Sequence, residues 1–331
     1  MRGALRGCLG IDSAIVGDAR DWFIAYEWNR RQSGIVMQPL VEMTNLTRDY
    51  GWWAPKRALN QLNLTVNTGE VVGLLGPNGS GKSTALRLLL GFMRPTAGTV
   101  RLGGFDPWNQ GPMARKTVSY LPGELRLYDN LSALELCQFL GKLHGGFNMP
   151  RAVSLARAFD LDLATPLSSC SSGMKRKAAL ISILALDTRL LVLDEPTNTL
   201  DPAMRECLLD QIRLAKLAGK SVLFSSHVLE EVEKVCDRVV ILQKGQLAAS
   251  CASDEMRSGR KITARIKMPL LTPPPDGKGL IDQSQGERLI FEVLEVTPEM
   301  LRWLADQPLD DLRIEPAAVS RLYRSIHPDA M

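Results

Sequence analysis

Between the apolar run Val71-Val72-Gly73-Leu74-Leu75 and a stretch of helical spacing from Thr84 to Leu90, the chain reads Gly76-Pro77-Asn78-Gly79-Ser80-Gly81-Lys82-Ser83. This is G-x-x-x-x-G-K-[ST] set where a strand hands over to a helix, and few short segments constrain a fold so tightly. The glycines let successive backbone N–H groups turn toward one centre. There, with the helix N-terminus, they form a cradle of positive potential for phosphate oxygens. Lys82 adds a point charge for the outer phosphates, and the Ser83 hydroxyl is an oxygen ligand for Mg2+. Thr84 completes the expected nucleotide-binding set. A plain glycine turn between strand and helix would not need Lys and Ser directly after its last glycine.

A second apolar run, Leu190-Leu191-Val192-Leu193, ends in Asp194-Glu195. Two carboxylates thus stand where a buried parallel strand emerges, the edge at which open α/β sheets bind ligands. Asp194 is suited to serve Mg2+ and Glu195 to orient a water toward a γ-phosphate. Alone, such a pair often only solvates a strand end; beside the phosphate loop it implies ATP hydrolysis. Further strand-like runs at Leu40 to Met43, Leu62 to Val66, Ser221 to Phe224 and Arg238 to Leu242 alternate with helix-like stretches, which predicts an α/β fold.

Residues 132 to 187 break the alternation and read as helical. Ser132 with Glu135 has the capping-box spacing, Pro150 stands where a first turn opens, and Gly173 precedes an apolar-periodic stretch. A helical subdomain of about residues 123–187 is therefore expected inside a domain spanning 37–250, closed by a turn at Lys244-Gly245. From 251 to 331 the pattern changes to strands at Lys261 to Lys267 and Arg288 to Val293, a Pro273-Pro274-Pro275 run, and helices near Pro298 to Ala305 and Ala317 to Ser325. This reads as a small α+β appendage. Residues 1–36 hold no lasting periodicity; either they are a loosely ordered extension, or Met37 is the true initiator.

Composition narrows the function. Forty Lys plus Arg against 36 Asp plus Glu leave +4, which demands no nucleic-acid or anionic-lipid partner. The longest convincing apolar run, Ala178 to Leu186, falls far short of the roughly 18 residues that cross a bilayer. The six cysteines lie far apart with no C-x-x-C pair, so neither a zinc site nor a disulfide framework is indicated. Asp12 and Asp18 interrupt what a secretory signal would keep uncharged.

Ser171-Ser172-Gly173-Met174-Lys175, at the head of a predicted helix upstream of Asp194, resembles the signature motif of ATP-binding cassette (ABC) ATPases, usually written LSGGQ. Other family marks follow in order: Asp194-Glu195-Pro196-Thr197, then Asn198-Thr199-Leu200-Asp201 like the D-loop, then His227 after Ser225-Ser226 like the switch histidine. Tyr50 is similar to the adenine-stacking aromatic, with Trp52 and Trp53 as close competitors. The resemblance covers roughly residues 41 to 250 and is nearest to cassettes of exporters whose permease is a separate chain. It implies a P-loop NTPase cassette with a mixed or parallel sheet core, in which two copies meet head to tail. Each ATP then lies between the phosphate loop of one copy and Ser171 and Gly173 of the other. Lys82, Glu195 and His227 are the implied catalytic residues.

Departures occur. Ser172 and Met174 stand where the signature commonly has Gly and Gln. After Tyr120-Leu121-Pro122 the chain reads Gly123-Glu124 where the family presents a glutamine that touches Mg2+. Glu124 either replaces it as an oxygen donor or is a solvent-facing loop acid. Lys175-Arg176-Lys177 and Glu230, Glu231 and Glu233 are expected on hydrated helix faces. The resemblance thus implies an ATP-hydrolysing, Mg2+-dependent subunit that forms a homodimer on the cytoplasmic face of the membrane and drives an integral-membrane permease. The competing class is a soluble cassette acting on ribosomes or DNA.

Overall fold

The computed structural model describes residues 39–51, 53, 56–256, 259–266, 288–293, 296–316 and 326. The first strands are β1 (Pro39–Tyr50), β2 (Lys56–Asn67), β3 (Val71–Leu75), β4 (Ala97–Leu102), β5 (Val118–Leu121), β6 (Leu190–Asp194), β7 (Ser221–Ser226), β8 (Arg238–Gln243) and β9 (Gln246–Ala252). They form two sheets. A six-stranded one has the order β5-β6-β7-β3-β8-β9, parallel except for the final β8–β9 pair, and an antiparallel one has the order β2-β1-β4. Every residue of β3, β6 and β7 is buried. That is why these strands read as unbroken apolar runs rather than alternating ones.

Helices follow in the order α1 (Lys82–Leu89), α2 (Gly111–Lys116), α3 (Ala133–His144), α4 (Met149–Ala158), α5 (Ser172–Leu184), α6 (Pro202–Leu217) and α7 (Leu229–Val235). The α3 to α5 segment lies between the neighbouring strands β5 and β6, as the helical reading of residues 132–187 predicts. Ser132 caps α3 in a full capping box: its Oγ accepts from the Glu135 N–H at 3.2 Å, and Glu135 Oε2 accepts from the Ser132 N–H at 2.7 Å. Asn148 caps α4 ahead of Pro150, and Ser171 caps α5. Apolar side chains from these helices join one face of the six-stranded sheet in a single cluster that includes Leu136, Leu155, Phe159, Leu180 and Leu193. On the other face α1 and the β2-β1-β4 sheet close a second cluster around Leu46, Leu62, Leu74, Leu86 and Leu223.

Lys244 and Gly245 form the two-residue hairpin loop between β8 and β9, both at positive φ (48° and 79°). This is the conformation whose twist suits a tight hairpin. Beyond it come α8 (Ser253–Met256), β10 (Arg260–Ile266), β11 (Arg288–Val293), α9 (Pro298–Asp306) and β12 (Leu309–Pro316), with the strands ordered β11-β10-β12. They have their own apolar cluster, in which Phe291 meets Trp303 edge-on at 5.9 Å between ring centroids. The strands β4, β5 and β12 have no counterpart in the sequence reading, because β4 is mostly exposed, β5 is only four residues long and β12 carries Asp310-Asp311 in place of an apolar run. Residues 1–36, the Pro273-Pro274-Pro275 run and the helix expected over Ala317 to Ser325 lie outside the described residues.

Two surface assignments are corrected. Arg176, expected with Lys175 and Lys177 on a solvated face, is 2% exposed. Helix α5 packs against the loop after β5, so the Arg176 guanidinium meets backbone carbonyls instead of water, while Lys175 and Lys177 stay partly exposed. Glu231 is likewise buried and Glu233 half-buried; only Glu230 of that trio is exposed.

Candidate active site

Register builds the site. In the parallel pairing, Leu75 lies opposite Ser226 and Asp194 opposite Ser225, so β3, β6 and β7 end level with one another at their C-terminal edge. The phosphate loop leaves β3, Glu195 follows β6 and His227 follows β7, all toward one cleft of about 520 Å3, while Asp194 is buried and outside its lining. Its lining holds Tyr50, Pro77, Asn78, Gly79, Ser80, Gly81, Lys82, Ser83, Thr84, Glu195 and His227, together with Lys56, Arg57, Ala58 and Asn198.

Close approach explains two of the loop's glycines. A Cβ at Gly76 would come within 2.5 Å of the Leu242 carbonyl and the Ser80 Oγ, and one at Gly81 (φ 110°) within 2.7 Å of Leu59 and 2.8 Å of the Ala58 carbonyl. The β8–β9 hairpin anchors the loop, because the Gly245 N–H donates to the Ser80 carbonyl at 2.9 Å. Lys82 is buried, and its Nζ donates to the Gly76 carbonyl at 2.6 Å and lies 3.5 Å from Glu195 Oε1. The buried Ser80 hydroxyl has no hydrogen-bond partner among the described residues.

Asp194 is buried at the end of β6 and accepts from Ser225 Oγ at 2.6 Å and from Ser83 Oγ at 3.4 Å, both on Oδ1. Ser225 Oγ in turn accepts from the Glu195 N–H at 2.9 Å, so one hydroxyl holds both acidic residues. Glu195 has φ 47°, a left-handed conformation that a non-glycine residue adopts only when its surroundings impose it. His227 Nδ1 is 2.7 Å from Glu195 Oε2, and an ionised carboxylate there can only accept, so Nδ1–H donates. Ser226, just before the histidine, donates to Glu231 Oε2 at 2.9 Å, and Thr197 Oγ1 donates to the same oxygen at 2.9 Å. Burial and the negative Asp194 together push the Tyr120 hydroxyl up to about 12.

Tyr50 lines the mouth of the cleft. The Arg48 guanidinium lies 5.2 Å from its ring centroid, a cation–π contact. Its competitor Trp53 is 96% exposed and outside the lining, and Trp52 lies outside the described residues.

The cleft does not take in every expected residue. Ser171 and Gly173 are absent from its lining; they sit at the exposed N-terminus of α5, where Ser171 Oγ accepts from the Met174 N–H. Glu124 is exposed and also outside the lining, whereas a Cβ at Gly123 would stand 3.6 Å from Asp194 Oδ2. Sequence reading missed Ser225, Lys56, Arg57 and Arg176. None of them had a signal in the sequence; the pairing of Ser225 with Asp194, for one, is set by the strand register.

Residues 59–198 match the ABC transporter family. The chain is 30% identical over 285 residues to the uncharacterized ABC transporter ATP-binding protein YdbJ of Bacillus subtilis, covering 84% of this chain and 92% of that one. The chain belongs to the ABC transporter family. The cassette is also 34% identical over 212 residues to the Nod factor export ATP-binding protein I of Sinorhizobium fredii, spanning 62% of this chain and 61% of that protein's length. Its fold is shared with the solved cassette MJ0796 in a dimeric, post-hydrolysis state bound to ADP and Pi (TM-score 0.59, 23% identity, 64% of this chain and 98% of that one). As a member of that family, the chain is the ATP-binding, ATP-hydrolysing subunit of a transporter.

Proposed function

We propose that the cassette is the motor of an exporter. Two copies enclose two ATP molecules head to tail on the cytoplasmic face of the membrane and drive a separate integral-membrane permease. The carrying observation is the division of the site. The cleft holds the phosphate loop, Glu195 and His227, while Ser171 and Gly173 cap an exposed helix outside it. A helix N-terminus with free amides suits a phosphate. Its counterpart in a two-fold dimer is the cleft of the other copy. The likeness to a dimeric cassette and to a Nod factor export protein supports this reading.

In this reading Tyr50 stacks on the base. Lys82 exchanges the Gly76 carbonyl for the outer phosphate oxygens, and the loop amides from Gly76 to Thr84 hold the chain of phosphates. Glu195 orients the attacking water, while His227 and Ser171 of the other copy hold the γ-phosphate. The oxygens of Ser83 and Asp194, 3.4 Å apart, fit the hard-oxygen preference of Mg2+. Held by Ser83 and Asp194, such an ion would supply positive charge to offset that of the bound phosphates. Glu124 is left without a part in the cleft. Residues 37–250 are the ATPase domain in this scheme and 251–331 an accessory unit.

The permease requirement has a physical basis. Among the described residues no helix is long and apolar enough to cross a membrane. The helical insert carries an exposed apolar face of Tyr128 (58% exposed), Phe139 (39%) and Leu143 (60%), with the first two rings edge-on at 5.5 Å. Such a patch marks a docking surface. Phe139→Glu with Leu143→Glu leaves the ATPase rate of the purified chain unchanged and abolishes detergent-dependent co-purification with the permease.

Turnover tests the whole reading. The purified chain hydrolyses ATP with a rate that rises faster than linearly with protein concentration, EDTA stops it, and added Mg2+ restores it. A linear rate, or salt-sensitive association with ribosomes in place of a membrane protein, would overturn the proposal.

A further inference from the structure

Among the described residues, the largest fully buried polar side chain sits beside the site and has no part in the scheme so far. Arg176 lies in the turn of α5 after the Ser171 cap, and its guanidinium is spent entirely on backbone carbonyls. Nη1 donates to the carbonyls of Pro122 at 2.9 Å and Gly123 at 3.1 Å, and Nε to that of Pro196 at 3.2 Å. Nη2 donates to the carbonyl of Asp194 at 3.5 Å and, in a short bond, to that of Glu195. Burial works against the charge, and the Asp194 and Glu195 carboxylates work for it. A guanidinium keeps its proton even so. A buried charge of this kind is costly unless every donor is matched. Here the matching groups come from only two places: the loop after β5, and the turn that holds Glu195 at φ 47°.

We infer that Arg176 is a positioning residue for Glu195. Its planar fork ties the head of α5 and the Pro122-Gly123 loop to the strained Asp194-Glu195-Pro196 turn, so that the carboxylate is presented to the cleft only while α5 is docked. Lysine cannot replace it, because an ammonium on a single stem cannot span five carbonyls in two directions. The same geometry links the two halves of the site. The helix whose cap is assigned to the other copy's phosphate is also the one that holds this copy's Glu195.

This inference rests on the role proposed for Glu195, and its test separates the two. Arg176→Lys keeps the KM for ATP and lowers the melting temperature, because buried carbonyls lose their donors, while kcat falls by about 10- to 100-fold, the loss expected when a reacting group is displaced by about 1 Å. In a Glu195→Gln background the same change lowers the residual rate by less than about two-fold, since residues acting as one unit are not additive. An unchanged kcat, an equal loss in both backgrounds, or a rise in KM would overturn it. If Arg176→Lys does not fold, Arg176→Gln is read by the same criteria; failure of both to fold assigns the residue to the fold alone and also overturns it. A wild-type chain without Mg-ATP turnover would instead remove the reading beneath it.

Discussion

Glu195→Gln binds Mg-ATP and fails to turn it over. The rate falls by about 10²- to 10⁴-fold, the range that a positioned proton acceptor supplies, and the protein runs as a stable dimer in gel filtration with Mg-ATP. The amide has the shape of the carboxylate, so the His227 contact and the turn at φ 47° survive, while the capacity to take a proton from water does not. It also removes a negative charge 3.5 Å from Lys82 Nζ, beside the expected phosphates. Nucleotide affinity is therefore kept or raised. Single-turnover phosphate release and size measurement on the same sample check both halves of the prediction. Turnover near wild type with only monomer present would show that Glu195 is misassigned.

Lys82→Ala and Ser171→Glu both abolish turnover, for opposite reasons. Without Lys82 the loop loses the buried ammonium that the Gly76 carbonyl now holds, and the chain no longer retains ATP as a monomer. Loss of one such electrostatic contact costs about 10²- to 10³-fold in rate. Ser171→Glu leaves the cleft untouched, so the monomer binds ATP as wild type does, but a carboxylate at the α5 N-terminus repels the other copy's γ-phosphate and no dimer forms. Equilibrium binding of a fluorescent ATP analogue, read beside light scattering, tells the two apart. If Ser171→Glu lost ATP in the monomer, the signature would belong to the same copy's site and the head-to-tail arrangement would fail.

The readable part of the site is the part made by single segments. The phosphate loop declares itself because backbone geometry requires glycine at Gly76 and Gly81, where any Cβ collides with neighbouring carbonyls or side chains. Asp194 and Glu195 declare themselves because an unbroken apolar run that gives way to two carboxylates marks where a buried strand reaches its end. Helix starts at Ser132 and Ser171 were legible for the same local reason, an unsatisfied N–H that a nearby hydroxyl can cap.

Charge runs were the unreadable part. Lys175-Arg176-Lys177 and the glutamates after His227 look alike in sequence, yet Arg176 and Glu231 are buried and their neighbours are not. Helical spacing tells which residues share a face; it does not tell whether that face meets water or the carbonyls of a distant loop. Glu124 shows the converse, since proximity in sequence to Pro122 did not bring its carboxylate into the cleft.

Local chemistry alone thus dictated the α/β alternation, the helical insert and the phosphate cradle, because each depends on groups within a few residues of one another. Long-range packing decided the rest: the level strand ends that put Ser225 between Asp194 and Glu195, the hairpin that anchors Ser80, and the burial of Arg176. The physical reason is solvation. A polar side chain takes its role from what replaces its water, and that replacement comes from segments far along the chain.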